Sequence, residues 1–189
     1  MLEHLIEYDK NLFLYLNNLG SETWDGLWLV ITNKLSSIPL YAALLFIIYK
    51  KFGWKALLLM VFVIAGMIAF TDQMTNLFKD TFQRPRPCRA EGIREIARYV
   101  APRCGKYGFF SGHASNSMST AIFAGLLLRP YFKNLIYVLI IWSLIVAYSR
   151  IYIGVHYPLD IICGLTFGAI AGFGFYKLNR YLIKRFISK

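Results

Sequence analysis

Apolar residues occur along this chain in long runs separated by short polar stretches, but the first twenty residues follow a different pattern. There, apolar side chains recur close to the 3.6-residue helical repeat with polar residues between them. We predict an amphipathic helix over residues 1–20 that lies in a membrane interface. A helix packed on the rest of the protein would show the same stripe, which consists of Leu2, Leu5, Ile6, Leu12, Phe13, Leu16 and Leu19.

Five later apolar runs are candidate membrane spans. The first two exceed the roughly 20 residues that cross a hydrocarbon core of about 30 Å, and Pro39 predicts a kink in the first. The third is short, and it crosses only if the small polar residues of 111–119 already lie at membrane depth. The predicted spans are Trp24–Tyr49, Trp54–Phe78, Ala114–Leu128, Leu135–Tyr148 and Leu159–Tyr176.

These elements predict an all-α fold, a polytopic membrane helical bundle of about five transmembrane helices formed by one domain over residues 1–189. Four glycines in the fifth span would let a neighbouring helix pack closely. They are Gly164, Gly168, Gly172 and Gly174. A hydrophobic fraction of 57% and a mean hydropathy of +0.48 also exceed the values usual for a soluble protein. The lipid bilayer is therefore the expected surrounding of the chain.

The net charge of +11 raises the question of nucleic-acid binding, which needs basic residues gathered on one soluble face. Here they lie mostly between or beyond the apolar runs, so we do not expect a nucleic-acid partner. Basic residues follow the first, third and fifth spans, and the positive-inside rule then places the N-terminus outside and the C-terminus inside. The loop over residues 79–110 falls on the outer side although it is basic, and such an excess of cations calls for an anionic ligand.

Three polar segments are predicted to meet on this outer side: Lys79-x6-Arg86-Pro87, Ser111-Gly112-His113 and Ser149-Arg150-x5-His156-x3-Asp160. Charged groups between apolar spans are costly to keep, which favours a functional site. Two arginines can hold phosphate oxygens with planar, bidentate donors, and a lysine adds a mobile point charge. The sequence therefore predicts a phosphate clamp that consists of Lys79, Arg86 and Arg150.

The remaining residues of these segments predict the chemistry. Ser111 is a candidate N-cap, so its hydroxyl and the backbone N–H groups at Gly112 can also face the anion. A neutral imidazole can attack phosphorus, and we predict His156 as the nucleophile, with Asp160 fixing its tautomer. His113 would protonate the leaving oxygen and then activate water.

The three motifs in this order resemble the PAP2 superfamily, the type 2 phosphatidic acid phosphatases together with the vanadium haloperoxidases. The resemblance covers the chain from about Lys79 to Asp160, and Phe110 stands where the family usually has proline. The family assigns the same roles to the two histidines, and the resemblance implies a reaction without a metal or other cofactor. The spacing His-x3-Asp is compatible with a metal site, but three cations would repel a metal ion.

We therefore expect an integral membrane lipid phosphatase of a bacterial inner or plasma membrane, whose site opens to the periplasm or exterior. Undecaprenyl diphosphate is the preferred substrate, because a compact enzyme with an outward site fits recycling of a carrier lipid. Phosphatidylglycerol phosphate, phosphatidic acid and the 1-phosphate of lipid A are the alternatives. A transporter or other binder of anionic lipids and a haloperoxidase are the competing classes.

Several polar residues have simpler interpretations. Glu91, Arg94, Glu95 and Arg98 have the spacing of a short surface helix with internal ion pairs, and Arg84 belongs with the arginines expected at the surface or near headgroups. Asp72, late in the second span, is either functional or the partner of a site cation. A disulfide between Cys88 and Cys104 would close the outer loop, and free thiols are the equal alternative.

Overall fold

The fold is built from six α-helices, and the computed structural model describes residues 2–187. Short 3-10 turns lie at Lys34–Ser37 and Pro87–Arg89, and no β-strand is assigned within the described range. The helices are α1 Leu2–Asn18, α2 Glu22–Thr32, α3 Ile38–Phe82, α4 Gly112–Leu128, α5 Leu135–Tyr152 and α6 Pro158–Phe186. The prediction of an all-α fold is confirmed.

The predicted first span is wrong in its bounds, because the chain breaks at Asn33. This residue ends α2 with extended backbone angles, and its side-chain oxygen accepts a hydrogen bond from Leu35 N at 3.0 Å. Pro39 lies in the first turn of α3, where its missing N–H costs nothing, so it starts a helix and does not kink one. The helix is instead interrupted at Gly53, whose φ of 78° lies in a region that glycine adopts without steric cost.

Three segments are long and apolar enough to cross a membrane: Lys34–Phe82, Leu135–Tyr152 and Pro158–Phe186. The prediction of an integral membrane protein is confirmed at this level, whereas the count of five crossings is not. One reason is α4, which at 17 residues is only about 26 Å long. Its side chains are mostly buried by neighbouring helices rather than exposed to lipid.

Helix α4 lies at the centre of the bundle and packs on α3, α5 and α6. Its contact with α6 depends on glycines four residues apart, since a Cβ at Gly164 would lie 2.6 Å from the Ser111 carbonyl oxygen. Gly168 and Gly172 repeat this close approach one and two turns further on, as predicted from the sequence. Gly174 has open space around it and takes no part in the contact. The close packing holds the first turns of α4 and α6 side by side.

Helix α1 packs on α5 and α6 at the same end of the bundle. Phe13 is fully buried, and its ring meets Tyr157 edge-on with the centroids 5.3 Å apart. The Asn17 amide donates hydrogen bonds to the carbonyl oxygens of Ile151 and Tyr152, which end α5. Other apolar side chains of α1 are exposed, so its place in a membrane interface stays a prediction. They include Leu5, Tyr8, Leu12 and Tyr15.

The loop over residues 83–111 folds back over the end of the bundle. A disulfide joins Cys88 to Cys104 with the two Cα atoms 6.4 Å apart, which settles the alternative in favour of the bridge. The predicted surface helix is wrong, because residues 91–96 form turns, but an ion pair within the segment is present between Arg94 and Glu95 at 2.6 Å. Arg98 pairs with Asp25 of α2 at 3.0 Å instead of with its own segment, so it ties the loop to the bundle.

Candidate active site

A cavity of about 690 Å³ opens where α3 and α5 end and α4 and α6 begin. Three segments distant in sequence form its wall at this end: the end of α3 with the loop that follows, the start of α4, and the end of α5 with the turn before α6. They meet because successive helices run in opposite directions. Six of the eight residues predicted for the site line this cavity. They are Lys79, Arg86, Gly112, His113, Arg150 and His156.

The three predicted clamp residues face the cavity without carboxylate partners. None of the ion pairs among residues 2–187 includes Lys79, Arg86 or Arg150. The Arg86 Nε donates to the Tyr107 carbonyl oxygen at 2.9 Å, and Arg150 Nη1 donates to Thr32 Oγ1 at 2.5 Å. The Nε of Arg150 is buried and has no hydrogen-bond partner. Buried donors that are left unpaired are costly, so this arrangement fits an anion that completes their hydrogen bonds.

The first turn of α4 contributes a backbone surface. Gly112 lines the cavity, and a Cβ there would lie 4.0 Å from Lys79 Nζ. Ser111 is fully buried behind it, where its Oγ accepts a hydrogen bond from Ala114 N at 3.4 Å. The N-cap geometry is as predicted, but the hydroxyl lies outside the cavity wall, so its contact with an anion stays a prediction.

His156 lies in the turn between α5 and α6 and is 2% exposed. Its Nδ1 faces Asp160 Oδ2 at 3.3 Å, which leaves Nε2 as the nitrogen available for chemistry. Burial, together with the positive charges of Arg86 and Arg150, holds the pKa of His156 well below its usual range. The imidazole is therefore neutral at physiological pH, which is the form that can attack an electrophile.

Asp160 is fully buried and lies behind His156, not in the cavity wall. Its Oδ2 also accepts a hydrogen bond from Tyr157 N at 3.0 Å, and its Oδ1 pairs with Arg84 Nη1 at 2.8 Å. With its oxygens used in this way, the carboxylate can orient the histidine but has little capacity left for a metal ion. Among the described residues, no group of three or more histidine, cysteine or acidic side chains could hold a metal.

Arg84 is not a surface or headgroup residue, which corrects the sequence-based expectation. Its guanidinium bridges Asp160 and Asp9 of α1, and it lies over the Tyr157 ring with its carbon 4.2 Å from the centroid. Asp9 is itself 4% exposed and accepts a hydrogen bond from Leu159 N at 2.8 Å. Sequence analysis missed both residues, because an arginine in a basic loop and an acidic residue in an amphipathic helix carry no signal of pairing.

His113 lies on α4 and faces the same cavity as His156. The two imidazoles therefore face one cavity from different segments, the first turn of α4 and the turn between α5 and α6. This arrangement lets one imidazole attack phosphorus while the other exchanges a proton with an oxygen of the substrate or with water.

Lys34 joins the three predicted clamp residues in the lining of the cavity. A membrane-embedded helical bundle with four cations and two histidines around one cavity is typical of enzymes that act on phosphate groups. The chain belongs to the PAP2 superfamily, whose sequence profile matches residues 54–184. The predicted resemblance is thereby confirmed, and so is the assignment to a family of hydrolases.

Two curated relatives are lipid phosphatases. The chain is 37% identical to a lipid A 4'-phosphatase of Bacteroides thetaiotaomicron, over 98% of this chain and 83% of the relative. It is 30% identical to an undecaprenyl-diphosphatase of Sulfolobus acidocaldarius, over 90% of this chain and 78% of the relative. The fold is similar to the crystal structure of a PAP2-type phosphatidylglycerolphosphate phosphatase from Bacillus subtilis, with a TM-score of 0.76 and 18% identity over 97% of this chain and 89% of that one.

Proposed function

We propose that this protein removes a phosphate monoester from a phosphorylated glycolipid of the lipid A kind through a phosphohistidine intermediate. One observation carries the catalytic part of the proposal: a buried histidine with a depressed pKa lines the same cavity as Lys79, Arg86 and Arg150, none of which forms an ion pair within residues 2–187. Such a cavity can stabilise the charge that develops on the oxygens of a transferring phosphoryl group.

In the first step, a substrate phosphate would lie between Lys79, Arg86 and Arg150. The neutral Nε2 of His156 attacks phosphorus, and the bond from phosphorus to the lipid oxygen breaks. His113 donates a proton to the leaving oxygen, which departs as the free hydroxyl of the lipid. Asp160 stabilises the positive charge that the phosphorylated imidazole gains.

In the second step, His113 is a base and takes a proton from a water molecule. The hydroxide that forms attacks the phosphohistidine, and the bond from phosphorus to Nε2 breaks. Inorganic phosphate leaves, and His156 returns to its neutral form. The same three cations stabilise both steps, because both place negative charge on the same phosphoryl oxygens.

The substrate proposal departs from the prediction made from sequence. The sequence alone favours undecaprenyl diphosphate, but a lipid A 4'-phosphatase matches 98% of this chain at 37% identity, against 30% identity over 90% for the undecaprenyl-diphosphatase. The clamp reads a phosphate and not a tail, so the choice rests on these relatives. Undecaprenyl diphosphate remains the second candidate.

We place the site on the outer side of a membrane crossed five times. The interruption at Gly53 supports this count, because it divides α3 into two segments and Lys51 beside it contacts the Tyr131 ring in the turn after α4. Basic residues therefore gather at the end of the bundle opposite the site, as the positive-inside rule requires of a cytoplasmic face. A C-terminal cysteine that is labelled from outside intact cells would contradict this orientation.

Phosphate release by the purified protein in detergent tests the function. The panel is a lipid A phosphate, undecaprenyl diphosphate, phosphatidic acid and phosphatidylglycerol phosphate. We expect the highest kcat/KM on the lipid A phosphate, no release by His156→Ala or His113→Ala, and unchanged release by His4→Ala, whose side chain is exposed on α1. Release from no lipid by the wild type would refute the enzyme proposal and favour a binder.

Radiolabelled substrate tests the intermediate. Wild type that is quenched rapidly at alkaline pH during turnover should carry an acid-labile phosphoprotein label, and His156→Ala should carry none. An active enzyme that never becomes labelled would point to direct attack by water. A chelator added to the assay tests the metal alternative, since a metal-dependent reaction would stop.

A further inference from the structure

The cavity continues past the phosphate clamp toward the middle of the bundle, and its lining changes in order. On α3 the sequence from the clamp inward is Lys79, then polar side chains, then apolar ones, and α4 repeats this order from His113. The polar residues are Asp72, Thr75, Asn76, Asn116 and Thr120, and we call them the polar belt. The apolar residues beyond them include Leu44, Ile48, Met67, Phe123 and Trp142.

The depth of the polar belt follows from helix geometry. Asn116 is three residues from His113, and Asp72 is seven residues from Lys79, which correspond to about 4.5 and 10.5 Å along the helix axes. A bound lipid would therefore place the group attached to its phosphate against the belt and its alkyl chain against the apolar end.

The centre of the belt is a fixed hydrogen-bond acceptor. Asn116 Nδ2 donates to Asp72 Oδ1 at 2.7 Å, and Asn116 Oδ1 accepts a hydrogen bond from the Thr71 hydroxyl. Both ends of the amide are thereby engaged, and the amide holds the carboxylate in place. No ion pair among residues 2–187 includes Asp72, although its charge acts on Lys79 from a greater distance, so a role as the partner of a site cation stays a prediction.

A carboxylate only accepts hydrogen bonds, so its complement is a ligand with O–H or N–H groups. A sugar ring with hydroxyl and amide groups next to its phosphate meets this requirement. A polyprenyl diphosphate does not, because it brings a second set of acceptor oxygens and then an apolar chain, and neither can donate to the carboxylate oxygen of Asp72 that Asn116 leaves open.

We propose that the polar belt, centred on Asp72 held by Asn116, is a sugar-binding subsite that selects phosphorylated glycolipids over sugar-free lipid phosphates. The proposal rests on the proposed lipid phosphatase function and deepens it. One acyl chain of the glycolipid occupies the apolar end of the cavity, and its other chains remain in the bilayer.

The test compares an Asp72→Asn variant with wild type on two lipids, a lipid A phosphate and phosphatidic acid. Asparagine keeps the shape and can still accept from Asn116, but it replaces one acceptor by a donor. We expect kcat/KM on the lipid A phosphate to fall at least about 10-fold, equivalent to about 1.4 kcal/mol, with less than about a twofold change on phosphatidic acid. Asp80→Asn is the matched control, because Asp80 is an exposed carboxylate on the same helix outside the cavity.

A soluble probe tests the subsite without turnover of a glycolipid. Glucosamine 1-phosphate should inhibit the wild type, assayed on phosphatidic acid, more strongly than inorganic phosphate does, and Asp72→Asn should abolish that difference. Equal losses on both lipids, or no loss on either, would overturn the sugar subsite while leaving the phosphatase proposal intact. If the wild type releases phosphate from no lipid, the phosphatase proposal fails. Equilibrium binding then tests the subsite separately: glucosamine 1-phosphate should bind wild type more tightly than inorganic phosphate does, and equal binding would overturn the subsite.

Discussion

The bridge that Arg84 makes between Asp9 and Asp160 gives the most quantitative prediction. Arg84→Met keeps the length of the side chain and its packing on Tyr157 but removes the charge that serves two buried carboxylates. The carboxylate side chains are 2% and 0% exposed, and the arginine side chain is 19% exposed. Removing one partner of a buried ion pair costs about 3–5 kcal/mol, because the other charge is left uncompensated.

We expect a loss near the lower end, about 3 kcal/mol, because backbone N–H groups of Leu159 and Tyr157 still donate to the two carboxylates. On the scale of soluble domains of this size, such a loss lowers Tm by about 6–12 °C. Phosphate release should fall as well, since Asp160 is the proposed orienting partner of His156. Thermal unfolding in detergent measures the first effect, and kcat on a lipid phosphate measures the second.

The dependence on pH has a defined sign. Burial already raises the pKa of Asp9 with Arg84 present, and loss of the arginine removes a cause that lowers it. A carboxyl group with a raised folded-state pKa lowers the free energy of unfolding at neutral pH, and this loss disappears as the group takes up a proton. The difference in free energy of unfolding between wild type and variant should therefore narrow from pH 7 toward pH 5. Arg103→Met, in the same loop with an exposed side chain, should stay within about 0.5 kcal/mol of wild type. An Arg84→Met protein as stable and active as wild type would refute this reasoning.

Three other predictions concern the loop, the helix packing and the nucleophile. A Cys88→Ser variant, which opens the disulfide, should lose about 3 kcal/mol of stability, and reductant should lower the Tm of wild type but not of the variant. Gly168→Val should lower the stability measured by thermal unfolding by about 1–3 kcal/mol, because its Cβ would meet the Ser115 carbonyl oxygen. Gly174→Val, in open space, should have no such cost, and equal losses in the two variants would contradict the packing argument. The His156 ring should be neutral by NMR at pH 6.5, where an ordinary histidine is about half protonated, and a ring that titrates normally would contradict its burial.

Most of the proposed catalytic residues that line the cavity are predictable from sequence, because charged and polar side chains are costly between apolar runs. Arg150 and His156 lie between long apolar runs, where a charged or polar side chain is costly and therefore indicates a functional site. The spacing of glycines in α6 likewise predicted a close helix contact, since a missing side chain is a local property. The family resemblance then rested on motifs that the sequence displays directly.

Sequence reasoning failed where a role depends on a partner distant along the chain. Arg84 and Arg86 are two residues apart in the same basic loop, yet one is bound between two carboxylates and the other faces the cavity. Nothing in their local sequence separates them. The break at Asn33 was missed for a related reason, because an apolar run with two polar residues fits one interrupted helix as well as two helices joined by a turn.

The sequence by itself determined the class of fold and the membrane setting, and it predicted six residues that line the cavity, because hydrophobic runs and the charges between them are properties of composition and order. Only the tertiary structure decided that Asp9 and Arg84 support Asp160, and that Asp72 faces the cavity and is held by Asn116. These pairings join residues 44 to 76 positions apart in sequence. Only the packing of distant segments against one another brings their side chains within hydrogen-bond distance.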